Sequence, residues 1–212
     1  MGICYLVGAG DVTERILPAA GDLVIAVDGG LGHLARRGIR PHLAVGDFDS
    51  GSAPEGGGIP VIRHPAVKDD TDMMLALREG AARGYTEFHL FGGMSGARFD
   101  HTVANIQLML HAAEKGLTVT SFLGYQRTRV LRNGEKLTLP DTVCGYFSVF
   151  ALGGIAEGVT VTGGKYTLTD ATLTPSMPLG VSNEPLVPPV TVFCRTGMLL
   201  VTWQESEKEH EQ

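Results

Sequence analysis

Cysteine is scarce in this chain: Cys4, Cys144 and Cys194 are odd in number and widely spaced, which argues against a disulfide framework or a thiolate metal site. Each stands among apolar neighbours, in ICYLV, VCGYF and VFCRT, so all three are expected to be buried free thiols in a reducing compartment. No apolar run reaches the roughly 18 residues of a membrane span. Basic residues are also few, 17 Lys and Arg against 23 Asp and Glu, for a net charge of −6. Without a Lys/Arg stripe, nucleic acid is not the expected partner. The first residues, MGICYLVGAGD, lack a basic segment and a cleavage site and read as a strand rather than a signal. Leu6 stands where a myristoylation motif needs Ser or Thr. The expected location is the cytoplasm. Small anionic substrates suit such a chain if a cation bridges them to the protein.

What is present is acid in clusters. Asp47 and Asp49 lie in VGDFDSG (45–51), and Asp69, Asp70 and Asp72 lie in KDDTD (68–72). Carboxylates so close repel one another unless a hard cation sits between them, and Mg²⁺ prefers oxygen ligands. A third run, GGMSGARFDHTVAN (92–105), contributes Gly92, Gly93, Arg98, Asp100, His101 and Asn105. A glycine-rich turn with an arginine at a helix start suits a phosphate. The chemistry this suggests is metal-assisted and directed at a phosphate ester.

The 212 residues, 43% apolar and 19% charged, are enough for one large or two small globular domains. Up to residue 123 short apolar strands alternate with helical patterns: Cys4–Val7, Leu23–Val27, Leu43–Val45, Pro60–Arg63, Glu87–Phe91 and Thr118–Leu123 are strands, and Thr71–Arg83 and Asp100–Lys115 are helices. Gly84 and Gly116 stand where the helices should end. The expectation is a doubly wound, mostly parallel sheet over 1–123 that binds ligands at the carboxyl ends of its strands. Asp28, Asp47 and the Gly92–Gly93 pair follow strands and fall on that edge.

From residue 124 the helical period disappears. TRVLRN-GEKLTLP reads as a hairpin turning at Asn133–Gly134. Tyr146–Leu152, Val159–Thr162, Thr167–Leu173, Val190–Phe193 and Met198–Trp203 read as further strands. An antiparallel β-sandwich over 124–203 is expected, followed by a disordered tail over 204–212.

Each motif also has a plain structural reading. GAGD (8–11) has two of the three glycines of a dinucleotide fingerprint and reads better as a tight turn. No P-loop pattern occurs. VDGG (27–30) is either a ligand turn with Asp28, Gly29 and Gly30 or an ordinary one, and GDFDS can be an Asx-turn. Asp69 or Asp70 can cap a helix, as can Asp100 beside a solvated His101. A cap explains one aspartate of KDDTD, not three. Arg98 is placed to fork onto phosphate, and His101 and Asn105 share a helical face.

Taken in order, VDGG, GDFDS, KDDTD, GGMSGARFDHTVAN and GVSNE (180–184) resemble the thiamine pyrophosphokinase family over roughly residues 22–201. The resemblance implies an N-terminal α/β domain and a C-terminal β-sandwich. It also implies a homodimer with sites between subunits, and pyrophosphoryl transfer from MgATP to thiamine. By the same resemblance Asp47, Asp49 and Asp72 would hold Mg²⁺, and Asp69 and Thr71 would position phosphate or metal-bound water. Asp28, Gly29, Gly30, Gly93, Arg98, Asp100, His101 and Asn105 would face the nucleotide, and Ser182 and Asn183 would meet thiamine from the partner subunit. Asp72 or Asp69 would take the alcohol proton while Arg98 takes developing charge. Animal members carry a tryptophan where Val201 aligns, and Trp203 is two residues away.

Two other readings compete. DFDS partly matches the D-x-D-x-T nucleophile of haloacid-dehalogenase-type phosphatases, although here it follows the third strand and ends in Ser50. A non-catalytic nucleotide sensor needs phosphate and base contacts but has no use for three carboxylates.

Overall fold

The computed structural model describes residues 2–46, 58–63, 70–96 and 98–206. Asp47, Asp49 and Asp69 therefore lie outside the described residues. The chain divides into two compact units, Met1–Leu108 with Gly116–Gly124, and Met109–Lys115 with Tyr125–Gln212.

The first unit contains β1 (Cys4–Val7), β2 (Leu23–Val27), α1 (Gly30–Arg36), β3 (Leu43–Gly46), β4 (Val61–Arg63), α2 (Asp72–Ala82), β5 (Glu87–Phe91) and β6 (Thr118–Leu123), with α3 (Phe99–Glu114) beginning in it. The six strands run parallel in the order β4-β3-β2-β1-β5-β6. Every residue of β1, β2 and β3 is buried, as expected of continuous apolar strands inside a parallel sheet. The order steps outward from β1 to β4, then reverses and resumes on the other side of β1 with β5. Val7 pairs with both Ala26 and Phe91, so the carboxyl ends of β1, β2 and β5 lie side by side at this reversal. Open α/β sheets bind ligands at such a switch point.

Helix α2 starts one residue later than its pattern suggests. Its N-cap is Thr71, whose Oγ1 accepts from the Met74 N–H at 3.2 Å; Asp70 instead pairs with Arg78. Met73, Ala76, Leu77 and Gly80 form its buried face. Gly80 is required there, because a Cβ would stand 2.6 Å from Phe88 and 2.8 Å from Cys4 Sγ. Burial pushes the Cys4 thiol up to about 12, which leaves it inert. Helix α1 has only seven residues, too few to show a period in the sequence.

The second unit is antiparallel. It contains β7 (Gln126–Leu131), β8 (Lys136–Thr138), β9 (Val143–Thr162), β10 (Leu168–Leu173), β11 (Gly180–Asn183), β12 (Thr191–Phe193) and β13 (Thr196–Glu205). The order is β7-β13-β9-β12-β8, with β10 and β11 also paired to β9. Its core includes Phe147, Val149, Val161, Val192, Cys194, Leu199, Val201 and Trp203.

Four local expectations need correction here. β7 and β8 do not form a hairpin: β7 pairs with β13 and β8 with β12, and at the turn Gly134 has positive φ but Asn133 does not, so no type I′ turn forms. The two strands expected within 146–162 are one, β9, because Gly145, Gly153 and Gly158 adopt positive φ and let the chain deform without leaving the sheet. Cys144 is exposed, next to a register shift between Trp203 and Gln204. Residues 204–206 are ordered rather than part of a tail, since β13 continues to Glu205 and the Ser206 N–H donates to the Thr142 carbonyl at 2.9 Å; residues 207–212 lie outside the described residues.

Trp203 serves this core. It is 6% exposed, its Nε1–H donates to Glu205 Oε1 at 2.8 Å, and Glu205 Oε2 lies 3.2 Å from Nε of the buried Arg127. The pair and the indole thus satisfy one another in a place where an unpaired charge would be costly.

Candidate active site

A cavity of about 430 Å³ opens at the switch point of the first unit. Its wall begins with Gly8, Ala9 and Gly10, directly after β1, and continues with Gly92, Gly93, Ser95 and Gly96, directly after β5. The two turns are laced together. Gly8 N–H donates to the Phe91 carbonyl at 2.8 Å, Gly10 N–H to the Gly92 carbonyl at 2.9 Å, and Ser95 Oγ to the Asp11 carbonyl at 3.3 Å. A Cβ on Gly10 would meet the Ser95 and Gly92 carbonyl oxygens at 2.5 and 2.7 Å. GAGD is thus the tight turn that the sequence suggests and also part of the cavity wall. Knowing the strand order would have shown this, since the switch point falls beside β1.

Asp28 enters the cavity from the end of β2. It adopts φ +47, uncommon for a residue with a Cβ, and its N–H donates to the Val45 carbonyl at 3.0 Å. Such strain clusters at functional sites. Its Oδ1 occupies the space a Cβ on Gly46 would need, 2.2 Å away. Gly29 and Gly30 do not line the cavity. Gly30 is there for packing, because a Cβ would lie 1.8 Å from the Val7 carbonyl oxygen.

The start of α2 contributes Asp70, Thr71, Asp72 and Met73. Because Thr71 performs the capping, the Asp72 carboxylate is not needed as a cap. It stands in the first turn, where the helix dipole favours negative charge. Among the described residues no three His, Cys, Asp or Glu side chains form a metal-ligand group. The carboxylates that line the cavity among the described residues are Asp28, Asp70 and Asp72, and Asp70 is engaged by Arg78. Oxygen donors of this kind fit Mg²⁺.

The opposite wall is the start of α3, with Arg98, His101, Ala104 and Asn105. Arg98 grips Asp100 in a two-point fork, Nε to Oδ1 at 2.9 Å and Nη2 to Oδ2 at 2.6 Å. The bond from Arg98 holds the Asp100 carboxyl down at about 2, so the pair stays ionised through any assay range. Asp100 itself is outside the lining, so its direct partner is the arginine. Asn105 is buried, and its Nδ2 donates to the Gly93 carbonyl at 2.7 Å. The N-termini of both α2 and α3 flank the cavity, and helix N-termini attract anions.

Ser182 and Asn183 lie on β11 of the second unit. Asn183 is 8% exposed and committed to the backbone: Oδ1 accepts from Tyr166 N–H at 3.0 Å and Glu184 N–H at 2.9 Å, and Nδ2 donates to the Tyr166 carbonyl at 2.6 Å. Ser182 has φ +56 and an exposed side chain, and its N–H donates to Ser148 Oγ at 3.0 Å. Of the two, Ser182 is the one with a side chain open to a ligand. Tyr166, Leu179 and Val181 are exposed around this strand.

Comparison with known proteins agrees with this architecture. Residues 16–121 match the model of the thiamin pyrophosphokinase catalytic domain, and residues 136–199 that of the thiamin pyrophosphokinase vitamin B1 binding domain. A thiamine pyrophosphokinase of Bacillus subtilis is 30% identical over 184 residues, 84% of this chain and 86% of that protein. The crystal structure of a thiamin pyrophosphokinase family protein from Enterococcus faecalis superposes with a TM-score of 0.81 at 26% identity, covering 98% of this chain and all of that one, at 100%. One of a thiamin pyrophosphokinase from Geobacillus thermodenitrificans gives 0.78 at 27% identity, covering 97% and 98%. With both family domains matched in order, this chain belongs to the thiamine pyrophosphokinase family.

Proposed function

We propose that this chain is an enzyme that transfers a pyrophosphoryl group from MgATP to the hydroxyethyl oxygen of thiamine, giving thiamine diphosphate and AMP. The observation that carries the reading is the switch-point cavity, with glycine turns after β1 and β5, two helix N-termini, acids on one side and Arg98 on the other. Attack on a phosphorus needs in-line positioning and charge neutralisation more than covalent help. Mg²⁺, when bound, supplies neutralisation of the phosphate oxygens. Asp72 would hold it together with Asp47 and Asp49, and Asp28 is well placed to assist. The two turns and helix N-termini would receive phosphate oxygens through backbone N–H groups. Arg98 would take charge developing on the transferred group. Asp72 or Asp69 would accept the alcohol proton, and Ser182 would meet thiamine. Purified protein given MgATP and thiamine should form AMP and thiamine diphosphate in equal amounts. A phosphatase would release inorganic phosphate from esters without ATP, and a sensor would bind ATP with no turnover in the presence of thiamine.

Arg98→Lys keeps the charge and loses the fork. We expect kcat to fall by at least about tenfold while Tm stays within a degree or two, because the side chain is exposed and packs no core. Wild-type turnover would remove Arg98 from the mechanism.

The finer architecture belongs to the same reading: a doubly wound domain over 1–123, a β-sandwich over 124–203, cytoplasmic location and a two-fold dimer with shared sites. No helix among the described residues is long and apolar enough to cross a membrane. Dimerisation is supported by exposed apolar side chains of the second unit, Tyr166, Leu179, Val181, Leu186 and Val187. Mixing Asp72→Asn chains with Ser182→Ala chains tests site sharing. Mixed dimers regain one intact site and partial activity if the subunits share sites; no recovery rules sharing out.

A further inference from the structure

We infer that Asn105 is a positioning residue for the nucleotide turn rather than a nucleotide contact: its buried amide fixes the Gly92–Gly96 turn through the Gly93 carbonyl. This rests on the proposed ATP-dependent reaction at the same cavity. Asn105 occupies the second turn of α3 and is 6% exposed. Asparagine weakens a helix interior, so its presence calls for a specific bond. That bond is the 2.7 Å donation from Nδ2 to the Gly93 carbonyl.

The turn it holds has little freedom left. Gly92 sits at φ +63 with its carbonyl taken by the Gly10 N–H at 2.9 Å. Gly93 packs so tightly that a Cβ would meet Leu90 at 2.2 Å and Asn105 Nδ2 at 3.0 Å. Two successive carbonyls are thus pinned, one from β1's turn and one from α3. Among the described residues no protein acceptor takes the N–H of Gly93, Met94 or Gly96. Pinning the Gly92 and Gly93 carbonyls fixes the planes of the peptides that carry the Gly93 and Met94 donors, and such donors can receive phosphate oxygens only if their orientation is set beforehand. The amide donor of Asn105 sets it from outside the ligand.

Asn105→Asp separates the two roles, since it keeps size and an acceptor oxygen but loses the donor while ionised. A carboxylate facing the Gly93 carbonyl repels it; a protonated carboxyl donates to it again. At pH 8 we expect kcat/KM for ATP to be about thirtyfold below wild type, because the Gly93 carbonyl is left unsatisfied in a buried place. At pH 5.5 the deficit should shrink to within about threefold, because burial among backbone carbonyls raises the carboxyl pKa. Asp28, Asp70, Asp72, Arg98 and His101 share the cavity in both proteins, so each rate is divided by that of wild type at the same pH. KM for thiamine should not change. Hydrogen–deuterium exchange of the 92–96 segment should be faster than wild type at pH 8 and should slow at pH 5.5 after correction for intrinsic rates.

A variant equal to wild type at pH 8, or a deficit that does not change with pH, overturns the positioning role, and the former would point to Oδ1 as a direct ligand contact. If Asn105→Asp does not fold, Asn105→Ser, whose hydroxyl is too short to reach Gly93, should show the same loss and the same faster exchange; wild-type behaviour in both overturns the role. If wild type itself makes no AMP from ATP and thiamine, the functional reading fails, while the exchange data still judge Asn105.

Discussion

Asp72→Asn is expected to lower kcat by roughly a thousandfold, at saturating MgATP and thiamine, while the protein stays folded. The substitution is nearly isosteric and removes one charge from the first turn of α2. The structural duty at that position belongs to Thr71, whose hydroxyl caps the helix, so no cap is lost. Loss of a favourable charge–dipole interaction costs about 0.3–1 kcal/mol. In a chain of this size that moves Tm by no more than a few degrees. Catalysis has more at stake. Asp72 is a cavity carboxylate at the start of α2, and a metal ligand or proton acceptor turned into a neutral amide loses its task entirely. Raising Mg²⁺ should recover part of the loss if Asp72 is a ligand and none if it is the base. Steady-state AMP formation across a Mg²⁺ series makes the measurement, and a kcat within a fewfold of wild type would sink both roles.

How far the site could be read in advance depended on which interactions set each residue. That Asp72 and Arg98 line the cavity is legible because their placement is local: an acid at a helix start, an arginine after a glycine turn. The strands of the first unit were legible for a similar reason, since burial on both faces leaves a continuous apolar run. The Gly8–Gly10 wall was not, because a two-glycine turn is common and its value comes from β5, more than 70 residues away in sequence, docking beside β1. The backbone bonds of Asn105 and Asn183 are hidden from the sequence in the same way. Sequence shows an amide on a polar face or in a motif, but only the fold shows that the amide is used on a backbone carbonyl or N–H. In the second unit, pairing partners are set by long-range register, and a glycine-interrupted β9 cannot be told from two strands by composition.

Gly10→Ala should have the second largest effect, and it tests the wall that the sequence left as a plain turn. The added methyl would meet two main-chain oxygens, Ser95 at 2.5 Å and Gly92 at 2.7 Å. Neither belongs to a flexible side chain, so the turns after β1 and β5 must separate. The 2.9 Å bond from Gly10 N–H to the Gly92 carbonyl would lengthen, and the Ser95–Asp11 contact beside it would open. Overpacking of this kind costs typically about 1–3 kcal/mol of stability, hence a Tm lower by several degrees. If the two turns cradle the nucleotide, kcat/KM for ATP should fall by about a hundredfold, equivalent to roughly 2.7 kcal/mol of transition-state binding. KM for thiamine should barely change. Gly154→Ala is the control, since a Cβ there has nothing within 4 Å and the residue lies on β9 of the second unit. It should leave both Tm and kinetics at wild-type values. A Gly10→Ala protein that melts earlier yet turns over ATP normally would show that the turn supports the sheet edge only. The nucleotide would then have to be bound by the starts of α2 and α3 without help from the turn after β1.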